Sequence, residues 1–533
     1  MKRIPFMLLA AGLLTLASGC GNAGPEGGSK TGSAPEDAVH FDTATGRYSP
    51  PVTLTTVGSI NPDLQFKYGE NLEHNVHIRW AEERLGIRIR YAWTAPKANG
   101  GYDNKLRLEA AKGNLPDIVT TRDRAVTQEL IDSGQFREAG SLFEQYASQT
   151  WKQAMQEDPE AWDSYIRGGR KMAIPILDYQ YITDPVLWVR QDWLDKLKLQ
   201  IPRTMQELET VLAAFTRDDP DGNGLDDTFG LSIGLRNGTS TWMGDSSWIF
   251  GAFGTVPMQW NKEADGKLAY GSVQPGAGEA LKLMRRWIDE GYISRASEWY
   301  DETKAAELFV AGKAGIVAGP VWMYGWPLGE LTAANPGAVV RPIPLPAGPQ
   351  GSVQRRGTIP VNGAILINKN MKRPDIFFTY QNYLFDYYAT SQGEFANGLA
   401  KDYDWAETEM GPTTDPAQIP GGLVRVASYT LTYDGARIPS KMLATIPDAV
   451  ARVLLSQQAA SRPDEFRGPL GPTMKAQGEL LRSLELESMR SQLFADNPAR
   501  FDDFVSDWLR YGGVQITHEA NEWYASRAAA ENK

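Results

Sequence analysis

A single cysteine, Cys20, stands in the whole 533-residue chain, so no intramolecular disulfide can form and no cysteine cluster can hold a metal. Histidine is almost as scarce, with only His40, His74, His77 and His518. His74 and His77 lie three apart near a helix start, yet no third ligand stands near them, which leaves capping or surface roles. A His-Glu-x-x-His motif is missing, as are the Gly-x-Gly-x-x-Gly fingerprint and a phosphate loop with its lysine. Positive charge is also short: 54 Lys and Arg against 65 Asp and Glu give a net charge of −11, with no basic cluster to hold a phosphate backbone. These gaps exclude nucleic-acid binding and leave no familiar catalytic constellation. Carboxylates are numerous, so a glycosidase pair far apart along the chain stays open.

What is present is aromatic. The chain has 16 Trp and 21 Tyr, many beside Gly and Pro instead of in helical stripes, as suits flat apolar faces displayed in loops. The hydrophobic share of 42% with 22% charged residues is that of a folded protein. At this length one core does not suffice, and two to four lobes are expected.

The N-terminus explains the lone thiol. Lys2 and Arg3 precede an apolar stretch from Ile4 to Leu16, and small residues Ala17-Ser18-Gly19 stand directly before Cys20. This resembles a bacterial lipoprotein signal peptide, residues 1–19, with Cys20 as the lipidated residue and 20–50 as a Gly/Ser/Pro-rich tether. The apolar run is too short to span a bilayer, and no later segment has eighteen uninterrupted apolar residues.

From Val52 onward, short apolar strands alternate with amphipathic helices. Val52–Val57, Ile87–Tyr91 and Ile118–Thr121 read as strands, separated by helices that stop at Gly86 and Gly113. Pro185–Arg190, Gly315–Gly319 and Gly363–Ile367 are further strands, and Thr204 with Glu207 forms a capping box. The alternation predicts an α/β fold with mainly parallel sheets, followed by a helical region from Lys441 to Tyr524.

Two local patterns carry chemistry. In Asp219-Pro-Asp221-Gly-Asn223-Gly-Leu225-Asp-Asp227, oxygen donors fall at positions one, three, five, seven and nine of a calcium loop, although Gly230 occupies position twelve where a glutamate closes the shell. A structural Ca²⁺ is expected there, the alternative being a bare Asx-rich turn. The second is Gly319-Pro-Val-Trp322-Met-Tyr324-Gly-Trp326-Pro327, a strand running into a turn with three rings, where open α/β sheets place ligands. Trp242, Trp248, Tyr403 and Trp405 add rings, and Asp123, Arg124 and Asp184 add polar partners for hydroxyl groups.

As an ordered set, Leu115-Pro-Asp-Ile118, Pro185-Val-Leu-Trp-Val-Arg-Gln-Asp-Trp-Leu194, the Asp219–Gly230 loop, Gly312-Lys-Ala-Gly315 and Phe504-Val-x-x-Trp508 resemble the extracellular solute-binding proteins of carbohydrate ABC importers, in the Gram-positive lipoprotein subgroup. The resemblance implies a periplasmic-binding-protein-like (type II) fold of two α/β lobes joined by crossing hinge strands. Residues 51–182 plus 346–405 would form one lobe and 183–345 plus 406–533 the other. It further implies Trp322 and Trp248 as stacking faces, Asp123 and Arg124 as hydrogen-bonding partners from the opposite lobe, and Asp184 beside the first hinge. The implied protein is a monomer on the outer face of the cytoplasmic membrane, no enzyme, with a sugar, permease subunits and the membrane as partners. A solute sensor and a secreted carbohydrate-active enzyme are the alternatives.

Overall fold

The computed structural model describes residues 39–61 and 64–531, so Cys20, the leader and most of the expected tether lie outside the described residues. The tether does not reach residue 50. His40–Asp42 pairs antiparallel with Arg47–Ser49, and Tyr48 is buried with its hydroxyl donating to Asp375 Oδ2 at 3.0 Å. Two three-residue strands are too short to show alternation, and one ring seated in a distant core orders the hairpin.

The first lobe begins with Val52–Ile60 and Ile87–Pro96, paired in parallel. Ile87 and Ile89 face inward while Arg88 and Arg90 face water, as their alternation requires. A second sheet sets Val361–Ile367 between Ile118–Thr121 and Ile174–Leu177, antiparallel to both. In the other lobe, Val186–Arg190 lies between Ala314–Gly319 and Val340–Ile343, again antiparallel to both, while Phe229–Ser232 pairs in parallel with Ala314–Gly319.

The four-stranded sheet is therefore mixed and the three-stranded one antiparallel, not mainly parallel. In each of the two larger sheets, the strand that arrives from the other lobe runs against its neighbours. Strand–helix alternation signals crossovers within a lobe but says nothing about the direction of a strand entering from outside it.

The packing moves the lobe boundaries expected from sequence. Val424, Val426, Tyr429, Leu431 and Ala436 are buried in the first lobe's core with Trp151, Phe377 and Phe385, so 424–436 belongs there. Residues 348–352 instead lie against the second lobe, where Ser352 Oγ donates to Gly251 O at 2.8 Å. The helices Pro472–Phe494, Phe501–Trp508 and Val514–Glu531 form the C-terminal layer. Met489 and Leu493 join the second lobe's core, and Trp508, Ile516 and Ala520 pack around Trp260 and Phe466.

Among the described residues, three chain crossings connect the lobes, near 178–185, 355–360 and 437–441. They are laced together: Asp178 N donates to Pro360 O at 2.9 Å, Gln180 N to Pro439 O at 2.9 Å, and Thr183 N to Thr358 Oγ1 at 3.0 Å.

Candidate functional site

The strand Ala314–Gly319 is buried along its whole length and ends where Gly319 lets the chain fold back closely; a Cβ there would meet Met323 Sδ at 2.2 Å. The turn that follows projects Trp322 and Trp326 toward Trp242. The ring centroids of Trp242 and Trp322 lie 5.6 Å apart, and Trp326 stands 6.3 Å from each, at interplanar angles of 18° and 16°. The two inner indoles have their N–H groups committed, Trp322 Nε1 to Ile182 O and Trp242 Nε1 to Glu302 Oε1, both at 2.7 Å. With orientation set by these bonds, the rings form pre-positioned apolar plates. Trp326 is 49% exposed and Tyr324 40%, the latter's hydroxyl 3.4 Å from Thr445 O.

Because Ile182 lies in a lobe crossing, the aromatic cluster is tied to the hinge itself. On the first lobe, a hollow of about 540 Å³ is lined by Asp103, Arg122, Asp123, Arg425, Tyr433 and Asp434 among others. Asp123 caps the helix Arg124–Asp132 through Val126 N at 2.8 Å and faces this hollow. Burial, with the charge of Asp123 nearby, raises the pKa of Asp103. Arg122 covers the Tyr433 ring at 4.2 Å, and Arg122, Arg425 and Arg437 converge on Asp434 at 3.4, 2.8 and 3.2 Å. Arg437 also pairs with Asp178 and lies 4.8 Å over the Tyr179 ring, which packs on the same apolar cluster as Trp242 and Trp322. Guanidinium donors and carboxylate acceptors thus stand on one side of the hinge and indole plates on the other.

A family model described as bacterial extracellular solute-binding protein matches residues 70–391. The chain belongs to this family. It is 31% identical over 277 residues to the polygalacturonan/rhamnogalacturonan-binding protein YtcQ of Bacillus subtilis (strain 168), covering 49% of this chain and 51% of that protein. It is 25% identical over 290 residues to the fructooligosaccharide ABC transporter substrate-binding protein FusA of Streptococcus pneumoniae serotype 4, covering 51% and 49%. The chain spans about half the length of these curated relatives in the matched regions. The two-lobed fold is that of the alginate-binding protein AlgQ2 solved without calcium ion, at TM-score 0.66 and 17% identity over 90% of this chain and 99% of that one. A Streptococcus pneumoniae FusA EF-hand mutant in complex with fructo-nystose superposes at TM-score 0.65, with 17% identity over 90% and 100%. The family is one of binding proteins and not of enzymes.

Several residues expected in the site of this solute-binding protein serve other ends. Asp184 is fully buried in the hinge, accepting from Thr358 N at 2.7 Å and Thr358 Oγ1 at 2.8 Å and paired with the equally buried Arg355 at 3.2 Å. Arg124 points away from the hollow and donates to Phe466 O at 3.3 Å and to Gly468 O, bracing the first lobe against the C-terminal layer. Trp248 is sealed in the second lobe's core at 1% exposure, its Nε1 bonded to Asp245 O. Tyr403 is buried in the first lobe's core, and Trp405 closes a local turn against Gly398 and Lys401. A ring or charge near a Gly or Pro looks alike in a sequence whether it faces a cleft or a core. Missed were Arg122, Arg425, Tyr433, Asp434 and Arg437; Tyr433 and Asp434 meet Arg122 from some three hundred residues away, and Arg425 and Arg437 join through Asp434. The only local mark is the Tyr433-Asp434-Gly435 turn, with Tyr433 at φ 64°.

The calcium loop does not fit its ion. Gly230 offers no side chain and lies in the strand Phe229–Ser232, and Thr228 Oγ1 turns inward to donate to Phe215 O at 2.9 Å. Asp227 is ion-paired with Lys313. Among the described residues no group of three or more His, Cys, Asp and Glu side chains is arranged to hold a metal. Of the donors expected for Ca²⁺ at Asp219, Asp221, Asn223, Leu225 and Asp227, the side chains of Asp219, Asp221, Asn223 and Asp227 are engaged in hydrogen bonds within the loop.

Against the expectation that the sequence holds no familiar catalytic constellation, one catalytic pattern is present by letter. Gly230-Leu231-Ser232-Ile233-Gly234 matches Gly-x-Ser-x-Gly, but Ser232 lies inside a strand at 1% exposure and donates to Ala305 O at 2.7 Å. A nucleophile elbow exposes its serine at a strand-to-helix turn, so this one is structural. No helix among the described residues is long and apolar enough to cross a membrane.

Proposed function

We propose that the protein captures an oligosaccharide between its lobes and passes it to the permease subunits of an ABC importer. It acts as a monomer, held at the outer face of the cytoplasmic membrane by lipid on Cys20. The observation that carries this reading is the cluster of Trp242, Trp322 and Trp326 anchored to the hinge at Ile182. Sugar rings present apolar C–H faces edged with hydroxyls. Indole plates take the faces, while Asp123, Arg122 and Arg425 can take the hydroxyls. A solute that touches both lobes binds the closed form better, and that difference in affinity drives closure about the three crossings. The ligands of the two relatives, polygalacturonan or rhamnogalacturonan and fructooligosaccharide, are both glycans and support that class.

The test is a thermal-shift screen of the Cys20→Ser chain, freed of its leader, against acidic and neutral oligosaccharides. A glycan that binds only the folded state raises the melting temperature. The reading expects at least one such shift, with Trp322→Ala weakening binding at least about 30-fold, the loss for a central aromatic anchor. An unshifted panel would reject it, and release of reducing ends would favour the enzyme alternative.

A further inference from the structure

We infer that the Asp219–Asp227 loop is closed by two ammonium groups of the chain itself, Lys313 and Lys196, and that the protein takes up no calcium there. Lys313 reaches across from the segment that follows the helix Glu302–Val310 and ion-pairs Asp227 Oδ2. Lys196, at the end of the helix Gln191–Leu197, donates to Asp219 O at 2.9 Å and Pro220 O at 3.1 Å. Both lysines, with Pro220 and Asp221, line one hollow beside the loop.

Asn223 is turned the same way. Its Oδ1 accepts from Leu225 N at 2.6 Å, which directs Nδ2 toward Asp221 Oδ2 at 2.9 Å and Asp227 Oδ1 at 3.2 Å. An amide N–H therefore stands where a bound cation would need an oxygen. Gly222 leaves the room that Lys196 needs, since a Cβ there would lie 2.8 Å from Lys196 Nζ. The positive charge that a calcium loop obtains from solution is here covalently part of the fold, and Gly230 at position twelve has no ion to close over.

The experiment reads stability, not solute binding, so its outcome is separate from that of the transport reading. Unfolding of the Cys20→Ser chain is followed by heat and by urea in calcium, in a chelator and in neither. The expected result is three superimposed transitions. Lys313→Met should lower the midpoint by roughly 1–3 °C, while Lys313→Arg, which keeps the charge, should lie nearer the parent. The double variant Lys313→Met/Asp227→Asn should lose less than the sum of its two single changes, because the pair is one interaction. A saturable rise of the parent's midpoint with calcium, a fall in chelator, or calcium-competed terbium luminescence from the parent would overturn the inference. So would full additivity in the double variant.

Discussion

Replacing Asp184 by Asn tests whether the hinge is held by charge. The carboxylate exposes no surface and accepts three hydrogen bonds, two from Thr358 and one from Arg355. Asn keeps the shape and one acceptor oxygen, so the backbone bond from Thr358 can persist. What disappears is the counter-charge of Arg355, whose other bond is to Leu454 O at 3.3 Å and whose Nη1 has no partner. A buried guanidinium left without its anion costs about 3–5 kcal/mol. Removing both charges in Asp184→Leu/Arg355→Met takes away the orphaned ion with the anion, and should cost less than the single change. Urea unfolding followed by tryptophan fluorescence measures both. A loss under about 1 kcal/mol for Asp184→Asn, or a double variant less stable than the single, would refute the reasoning.

Acid should destabilise the first lobe through His77. That imidazole is fully buried, its pKa is lowered to about 3 by burial, and its Nε2 meets Tyr380 Oη at 2.7 Å. Above pH 6.5 folded and unfolded states are both neutral there and nothing is lost. As pH falls from 6.5 toward about 3, the unfolded chain takes a proton that the folded chain refuses, and stability drops by about 1.4 kcal/mol per pH unit. His77→Gln should flatten that part of the stability–pH curve, and a curve unchanged by the substitution would assign the acid sensitivity elsewhere. Arg124→Ala removes the brace to Phe466 and Gly468, so it should lower stability by about 1–3 kcal/mol while changing solute affinity less than threefold. A large affinity loss with unchanged stability would return Arg124 to the binding site.

Local rules made much of the scaffold legible. Asn75 caps the helix that stops at Gly86, whose φ of 69° is the left-handed conformation a glycine stop supplies. Thr204 accepts from Glu207 N at 3.1 Å, and Glu207 reaches back to Arg203 N at 2.6 Å, one residue before the expected partner of its capping box. The indole cluster was legible because Trp322 and Trp326 share one turn at a strand end. What the chain could not announce is long-range pairing. Arg122 meets Asp434, Arg355 meets Asp184 and Lys313 meets Asp227 only once the lobes have formed. The spacing of Asp219, Asp221, Asn223 and Asp227 suits a calcium loop equally well whether a metal or a lysine answers it. Exposure was hidden for the same reason: Trp248 and Trp326 differ in position by a core, not by a motif.

The most direct measurement is small-angle X-ray scattering during titration with the glycan that thermal shift identifies. The radius of gyration should fall saturably, with its midpoint at the dissociation constant, as two lobes close on a solute held against Trp322 and Trp326. Saturation of the protein with no change in that radius would contradict the account.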